Sequence, residues 1–184
     1  ASNFDFLAPL SPELKSYASR AEQHALSDPR AACFYARFAL EQTVYWLYRH
    51  TPQLHIPYSD AKLNTLIKEQ SFKDHLPHGL FGKIKAIQIS GNNAVHKKTS
   101  PSISDSNHIV KELHHLLKWV LLNYSSYPAP SAFNGALFPA PQAGVKKQSH
   151  ESLKKLEQEL DEAKTIAELY KAKAEQTEAE LKEL

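Results

Sequence analysis

The chain has five glycines and a single cysteine in 184 residues, and strand-like alternation of apolar and polar residues is hard to find. Scarce glycine and missing alternation exclude a sheet-rich architecture and point to an all-α protein. One cysteine, Cys33, leaves no partner for an internal disulfide. Its place in an apolar helical run marks a buried thiol in a reducing compartment. No apolar run reaches the roughly 20 residues of a membrane span. The opening ASNFDFLAPL lacks the basic flank and apolar core of a signal peptide. A cytoplasmic location without membrane contact is therefore expected. A GxxxxGK[ST] phosphate loop is also absent, so no P-loop ATPase resides here.

A large excess of charge of one sign is missing too. The formal net charge is +2, too small to demand nucleic acid, although its distribution is uneven. Residues 1–124 carry 14 Lys/Arg against 10 Asp/Glu, and residues 125–184 carry 8 against 10. A mildly basic body with a mildly acidic tail is compatible with phosphate contact without requiring it.

What is present is helical grammar. Ser11-Pro12-Glu13 places an N-cap oxygen, a proline at the first helical position and an acid in the first turn. Leu14, Tyr17, Ala18, Ala21 and Ala25 then share a face. Asp28-Pro29 repeats the start signal for a second helix running to about His50, apolar on more than one side through Phe34, Ala36, Leu40, Val44 and Leu47. So short a turn makes the two antiparallel neighbours. Residues 51–60 read as a loop, and Leu63, Leu66 and Ile67 as a short third helix. A longer helix follows His78, carrying Leu80, Ile84, Ile87, Gly91 and Ala94 or Val95 on one side. The last core helix starts at Ser104 or Asp105, with Ile109, Leu113, Leu116, Leu117, Val120 and Leu121 as its stripe. The body, residues 1–124, is then a bundle of four to five helices.

Residues 125–148 form a proline-rich strap, in which at least one of Phe133, Leu137 and Phe138 should dock on the body because they are too apolar for a free linker. Residues 149–184 have a different pattern. Spacings of three and four alternate through Leu153, Leu156, Leu160, Ala163, Ala167, Tyr170, Ala174, Thr177, Leu181 and Leu184. This seam is sustained for about four and a half heptads, the signature of a long helix with a coiled-coil partner from the same or another chain. It is still in register at Leu184 without a C-cap glycine, so the polypeptide is expected to continue.

The stretch AIQISGNNAVHKK, residues 86–98, combines a helical pattern with a Gly-Asn-Asn interruption. Four-residue spacing places Gln88, Asn92 and His96 on one polar stripe, beside Ile84, Ile87, Gly91 and Val95. Gly91 costs about 1 kcal/mol against alanine inside a helix, so close approach of another backbone must offset it. Two readings of the stripe stand. Asn92 and His96 either satisfy hydrogen bonds where two helices meet, or His96 acts as a general base beside phosphate. The second needs a cation. Lys83, Lys85, Lys97 and Lys98 are candidate phosphate or DNA contacts, and Arg37 and Arg49 on the second helix could add charge, although nothing in the sequence places them at His96.

Other chemistry is poorly supported. His75, His78, His114 and His115 are not joined by a second cysteine or by a carboxylate at ligand spacing, so no metal site is expected. They read as solvated or capping histidines. Arg37 and Glu41, four apart, read as a structural pair. Cys33 has no identifiable neighbouring base.

GNNAVH resembles the late-helix motif of HEPN-type helical domains, whose ribonuclease members pair an arginine and a polar residue with a histidine further on. Asn92 and His96 match the polar and histidine positions, while Gly91 stands at the arginine position. The resemblance implies a HEPN-like bundle without the cation that grips phosphate. A broader resemblance covers the whole chain: SNFDFL, the pair SDPRAACFYARFALEQTVYWLYRH, the GNNAVH helix, the strap and the heptad tail follow in one order. That order is similar to the N-terminal region of the R subunit of type I restriction enzymes. It implies a non-catalytic accessory module. The remainder of the parent protein would cut and translocate double-stranded DNA with ATP and Mg, beside modification and specificity subunits. A ribonuclease acting through His96 and a purely protein-binding adaptor are the rival expectations.

Overall fold

The computed structural model describes residues 1–161 and 165–184, and of residues 165–168 and 171 only the backbone. Among the described residues it contains helices and no strand. Helix α1 (Pro12–His24) begins where expected, with the Ser11 hydroxyl accepting from the Leu14 amide at 3.2 Å. Helix α2 (Pro29–His50) starts at Asp28, whose Oδ1 accepts from Ala31 N. The region expected to hold one short helix holds two, α3 (Leu63–Lys68) and α4 (Gln70–His75). Glu69 between them is extended, and its carboxylate accepts from Ser71 N.

Helix α5 (Leu80–His96) is entered through Gly79 at φ 86°, a left-handed turn that glycine adopts without steric cost. Helix α6 (Ile103–Tyr124) starts a residue or two before the expected Ser104 or Asp105. The reason is a reciprocal cap: Ser102 Oγ accepts from Asp105 N, and Asp105 accepts from Ser102 N. Two further helices follow the strap, α7 (His150–Asp161) and α8 (Thr165–Lys182).

Helix α2 is the axis of the bundle. It packs on α1, α5 and α6, and also touches α7 and α8. This explains why its apolar residues span more than one side. Phe34, Leu40, Val44, Leu47 and Tyr48 are all essentially solvent-free. Cys33 is buried as expected, and burial pushes its thiol pKa up, against nucleophilic use.

The strap is fastened to the body at three places. Asn3 and Asn134 exchange hydrogen bonds, Asn134 N donating to Asn3 Oδ1 at 2.7 Å and Asn3 Nδ2 donating to Asn134 O at 2.9 Å. Asn3 is itself held by the buried Glu22 carboxylate, to which Asn3 Nδ2 donates at 2.6 Å. Phe138 is buried and Phe133 packs on the core, so the docking expected of these aromatics is observed. At the far end Gln148 N donates to Asp28 Oδ2 at 2.8 Å. One carboxylate thus caps α2 and holds the end of the strap.

His114 departs from the expectation of a solvated or capping histidine. It is 2% exposed and lies among Phe4, Phe6 and Phe133, with ring centroids 5.4–5.8 Å away. Burial, reinforced by His115 and Lys118, pushes its pKa from 6.5 down to about 4. The unfolded chain therefore binds the extra proton between those two values. The stabilising effect of the neutral ring is fully present above pH 6.5 and is lost as the pH falls toward 4. Lowering the pH from 7 to 5 should cost about 2 kcal/mol of unfolding free energy through this residue alone. Urea titrations of the parent and of His114→Phe at both pH values test this, the variant being expected to lose most of that increment. His24, His75 and His115 are shifted in the same direction, chiefly by burial, and add to the residual slope.

The heptad seam divides. Leu153 is buried, and Leu156 and Leu160 pack against the core, because α7 lies on α5 and α2 of the same chain. Among the described side chains of α8 the buried one is Leu169 rather than Tyr170, which is 39% exposed. Ala174, Thr177, Leu181 and Leu184 are exposed. Ala163 and the side chain of Ala167 lie outside the described residues.

Candidate functional site

Helices α2 and α5 cross where the sequence holds Gly91. A Cβ added at Gly91 would lie 2.8 and 2.9 Å from Cδ and Cγ of Arg37, and closer still to its Cβ. Hydrogen at position 91 is therefore what lets the Arg37 stem pass over α5. Gly91 thus has a cation beside it, carried by α2.

That guanidinium is occupied. Arg37 Nη1 donates to Asn92 Oδ1 at 2.6 Å, and Nη2 forms an ion pair with Glu157 of α7. Its carbon Cζ also lies 5.7 Å from the centroid of the Phe34 ring. Burial lowers the Arg37 pKa, and Glu41 and Asp161 oppose that shift. Glu41 is not its bonded partner; the i,i+4 pair read from the sequence is replaced by the pair with Glu157. Burial raises the Glu41 pKa, Arg37 opposes this, and Asp161 adds to it.

Together these groups line a cleft of about 400 Å³ between α2, α3, α5 and α7, which Tyr45, Lys62, Asn64 and Gln88 also face. Three carboxylates, Glu41, Glu157 and Asp161, stand around one guanidinium. Such a surrounding disfavours a phosphate and favours a closed structural network.

The polar stripe is pulled apart. Gln88 is 4% exposed and is used internally, donating to Asn64 Oδ1 at 3.1 Å and accepting from Lys85 Nζ at 2.6 Å. Asn92 serves Arg37. His96 is exposed at the end of α5 and does not line the cleft. The four candidate lysines do not gather either. Lys83 pairs with Glu112 of α6 at 3.0 Å, whereas on another side of α5 the Lys85 pKa is lowered by partial burial and, less strongly, by Lys68 and Lys73. Lys97 and Lys98 are exposed beyond the helix end.

Arg30 was not singled out from the sequence, yet it fixes the end of α5. It is 5% exposed, its Nη1 donates to the carbonyls of Ala94 and Lys97, and its Nη2 donates to that of Lys98, each at 2.7 Å. These include carbonyls a helix terminus otherwise leaves unpaired. The available signal was the seven-residue spacing of Arg30 and Arg37, which places two arginines on one side of an otherwise apolar helix.

Among the described residues no group of three or more His, Cys, Asp or Glu is placed to hold a metal ion, and no helix is long and apolar enough to cross a membrane. The architecture is that of an all-helical bundle whose polar centre is an internal ion-pair network. The family model described as "Domain of unknown function (DUF4145)" matches residues 19–163, and the chain belongs to that family. No curated protein and no solved structure matches the chain.

Proposed function

We propose that the chain is a non-catalytic helical accessory module, the N-terminal region of the R subunit of a type I restriction enzyme. The observation that carries the non-catalytic reading is the committed state of Arg37. Its two terminal nitrogens are engaged by Asn92 and Glu157, and His96 stands outside the cleft. A phosphoryl-cleaving site needs an available cation and an acid–base group converging on one atom. The type I assignment itself rests on the resemblance of the ordered sequence features.

In this reading ATP and Mg belong to other parts of the parent enzyme, since the sequence has no phosphate loop. The module docks the modification and specificity subunits, and the exposed seam residues of α8 connect it to further domains through a coiled-coil helix. Double-stranded DNA is the substrate of the assembly. Because Lys83 is paired and Lys85 lies on another side of α5, protein docking is favoured over direct DNA contact.

The rival ribonuclease reading makes a distinct forecast for His96. The isolated protein should neither cleave DNA or RNA nor hydrolyse ATP. His96→Ala should shift unfolding free energy by less than about 0.5 kcal/mol, as at exposed positions generally. Turnover of RNA that disappears in His96→Ala would replace this proposal with the ribonuclease.

A further inference from the structure

A second cleft, of about 460 Å³, opens where the C-terminal ends of α2, α4 and α6 converge. It takes no part in the reading above. Its walls are aromatic. Trp119 and Tyr124 come from α6, and His75 from α4 meets Trp119 edge-on at 5.6 Å. Behind them Trp46 stacks on His50 at 3.9 Å and meets Tyr124 at 5.1 Å. The tyrosine is fixed in place: its hydroxyl bonds to His75 Nε2 at 2.6 Å and to Thr51 Oγ1.

The rim offers free acceptors on His50, Gln53 and Asn123. His50 Nδ1 bonds to the Trp46 carbonyl at 2.7 Å, so Nδ1 carries the hydrogen and Nε2 bonds to no described residue. Asn123 Nδ2 donates to the Trp119 carbonyl at 2.8 Å, which leaves Asn123 Oδ1 for a ligand. Burial lowers the His75 pKa, which favours its uncharged ring. Among the described residues no lysine or arginine lines the cleft. Arg49, in the last turn of α2, is exposed and not part of the lining. Helices α2 and α6 also aim the negative ends of their dipoles at this place, and α6 has no basic residue in its last turn.

Flat π-faces, free acceptors and negative helix ends share one complement: a planar cation with several N–H donors. An anion finds no cationic donor among the lining residues, only the neutral N–H groups of Gln53 and Trp119, and an ammonium uses the flat wall less well than a guanidinium. We propose that this cleft is a guanidinium-binding site, taking either a free guanidino compound or an arginine side chain from a partner protein.

Both tryptophans of the chain, Trp46 and Trp119, stand at this site, so intrinsic fluorescence reports it directly. The folded protein titrated with L-argininamide should show a saturable emission change, half-complete in the millimolar range expected of one exposed cation–π contact. Lysinamide should bind about threefold to fivefold more weakly, and adenosine should not bind. A short Gly-Ser peptide with one central arginine distinguishes the sources: binding about tenfold tighter than argininamide assigns a partner's side chain, and equal binding assigns a free compound.

Asn123→Asp, at an exposed position, should tighten argininamide about threefold by adding a carboxylate beside the guanidinium. Trp119→Leu, followed by NMR shifts with its fold checked by circular dichroism, should weaken it at least threefold. The proposal is overturned if argininamide gives no saturable change, if lysinamide or adenosine binds as well, or if Asn123→Asp leaves the affinity unchanged. The last test does not depend on the tryptophan variant folding.

Discussion

Replacing Gly91 by alanine should destabilise the protein by about 3 kcal/mol or more, the upper range for overpacking a tight contact. The sign is the informative part. In an unconstrained helix interior the same change would stabilise by up to about 1 kcal/mol. Here the added methyl meets the Cβ of Arg37, which is fixed by the α2 backbone and cannot swing aside as a side-chain tip would. Shortening the arginine therefore does not help. Arg37→Ala keeps the clashing atom and leaves Glu157 without its cation, so the double variant Gly91→Ala/Arg37→Ala should be no more stable than Gly91→Ala alone. Arg37→Gly removes the Cβ and should recover part of the loss. Denaturant unfolding of the four proteins separates these outcomes. A Gly91→Ala protein as stable as the parent would mean that the two helices do not cross as described.

Arg30→Met should be nearly as damaging, at about 3 kcal/mol. Methionine keeps much of the apolar stem but removes the donors to three carbonyls at the end of α5. Charge-assisted bonds contribute about 1.5–3 kcal/mol each, and partial rehydration of the carbonyls keeps the loss below their sum. Arg30→Lys should recover less than half, because an ammonium lacks the planar fork that reaches Ala94, Lys97 and Lys98 together. Thermal unfolding would report the global loss. Amide exchange should show it concentrated at Ala94 to Lys98, where the helix end frays first.

The two variants also mark what could be read in the chain before folding. Helix starts at Ser11 and Asp28 were legible because a cap is a local bond, set within three residues. The start of α6 was misplaced slightly because Ser102 and Ser104 are both competent caps, and only the reciprocal bond with Asp105 selects the first. The break at Glu69 was not legible, since the apolar spacing runs on toward Phe72. Gly91 announced a close approach, as any helical glycine beside a polar stripe does. The identity of the approaching group was not written locally. Arg37 lies 55 residues from Asn92 and 120 from Glu157 in sequence, and such pairings are decided by how the helices cross. His114 shows the same limit. Its position on α6 gave no hint that Phe133 of the strap and Phe4 and Phe6 near the start of the chain would enclose it. The leucines of the seam were legible as apolar, but their 3.5-residue period did not reveal that Leu153, Leu156 and Leu160 would meet this chain's own helices.

The fastenings of the strap and of α7 bear on the order of assembly. Asn3 meets Asn134, Asp28 meets Gln148 and Arg37 meets Glu157 across 131, 120 and 120 residues. During synthesis at about 5–20 residues per second, the faces of α2 and α5 that receive α7 stay open for several seconds after those helices have emerged. Loops of this length also carry a large closure entropy. The clasp between its early and late segments is therefore the last part to set, and through that interval a nascent chain has to keep those faces from neighbouring ribosomes' products.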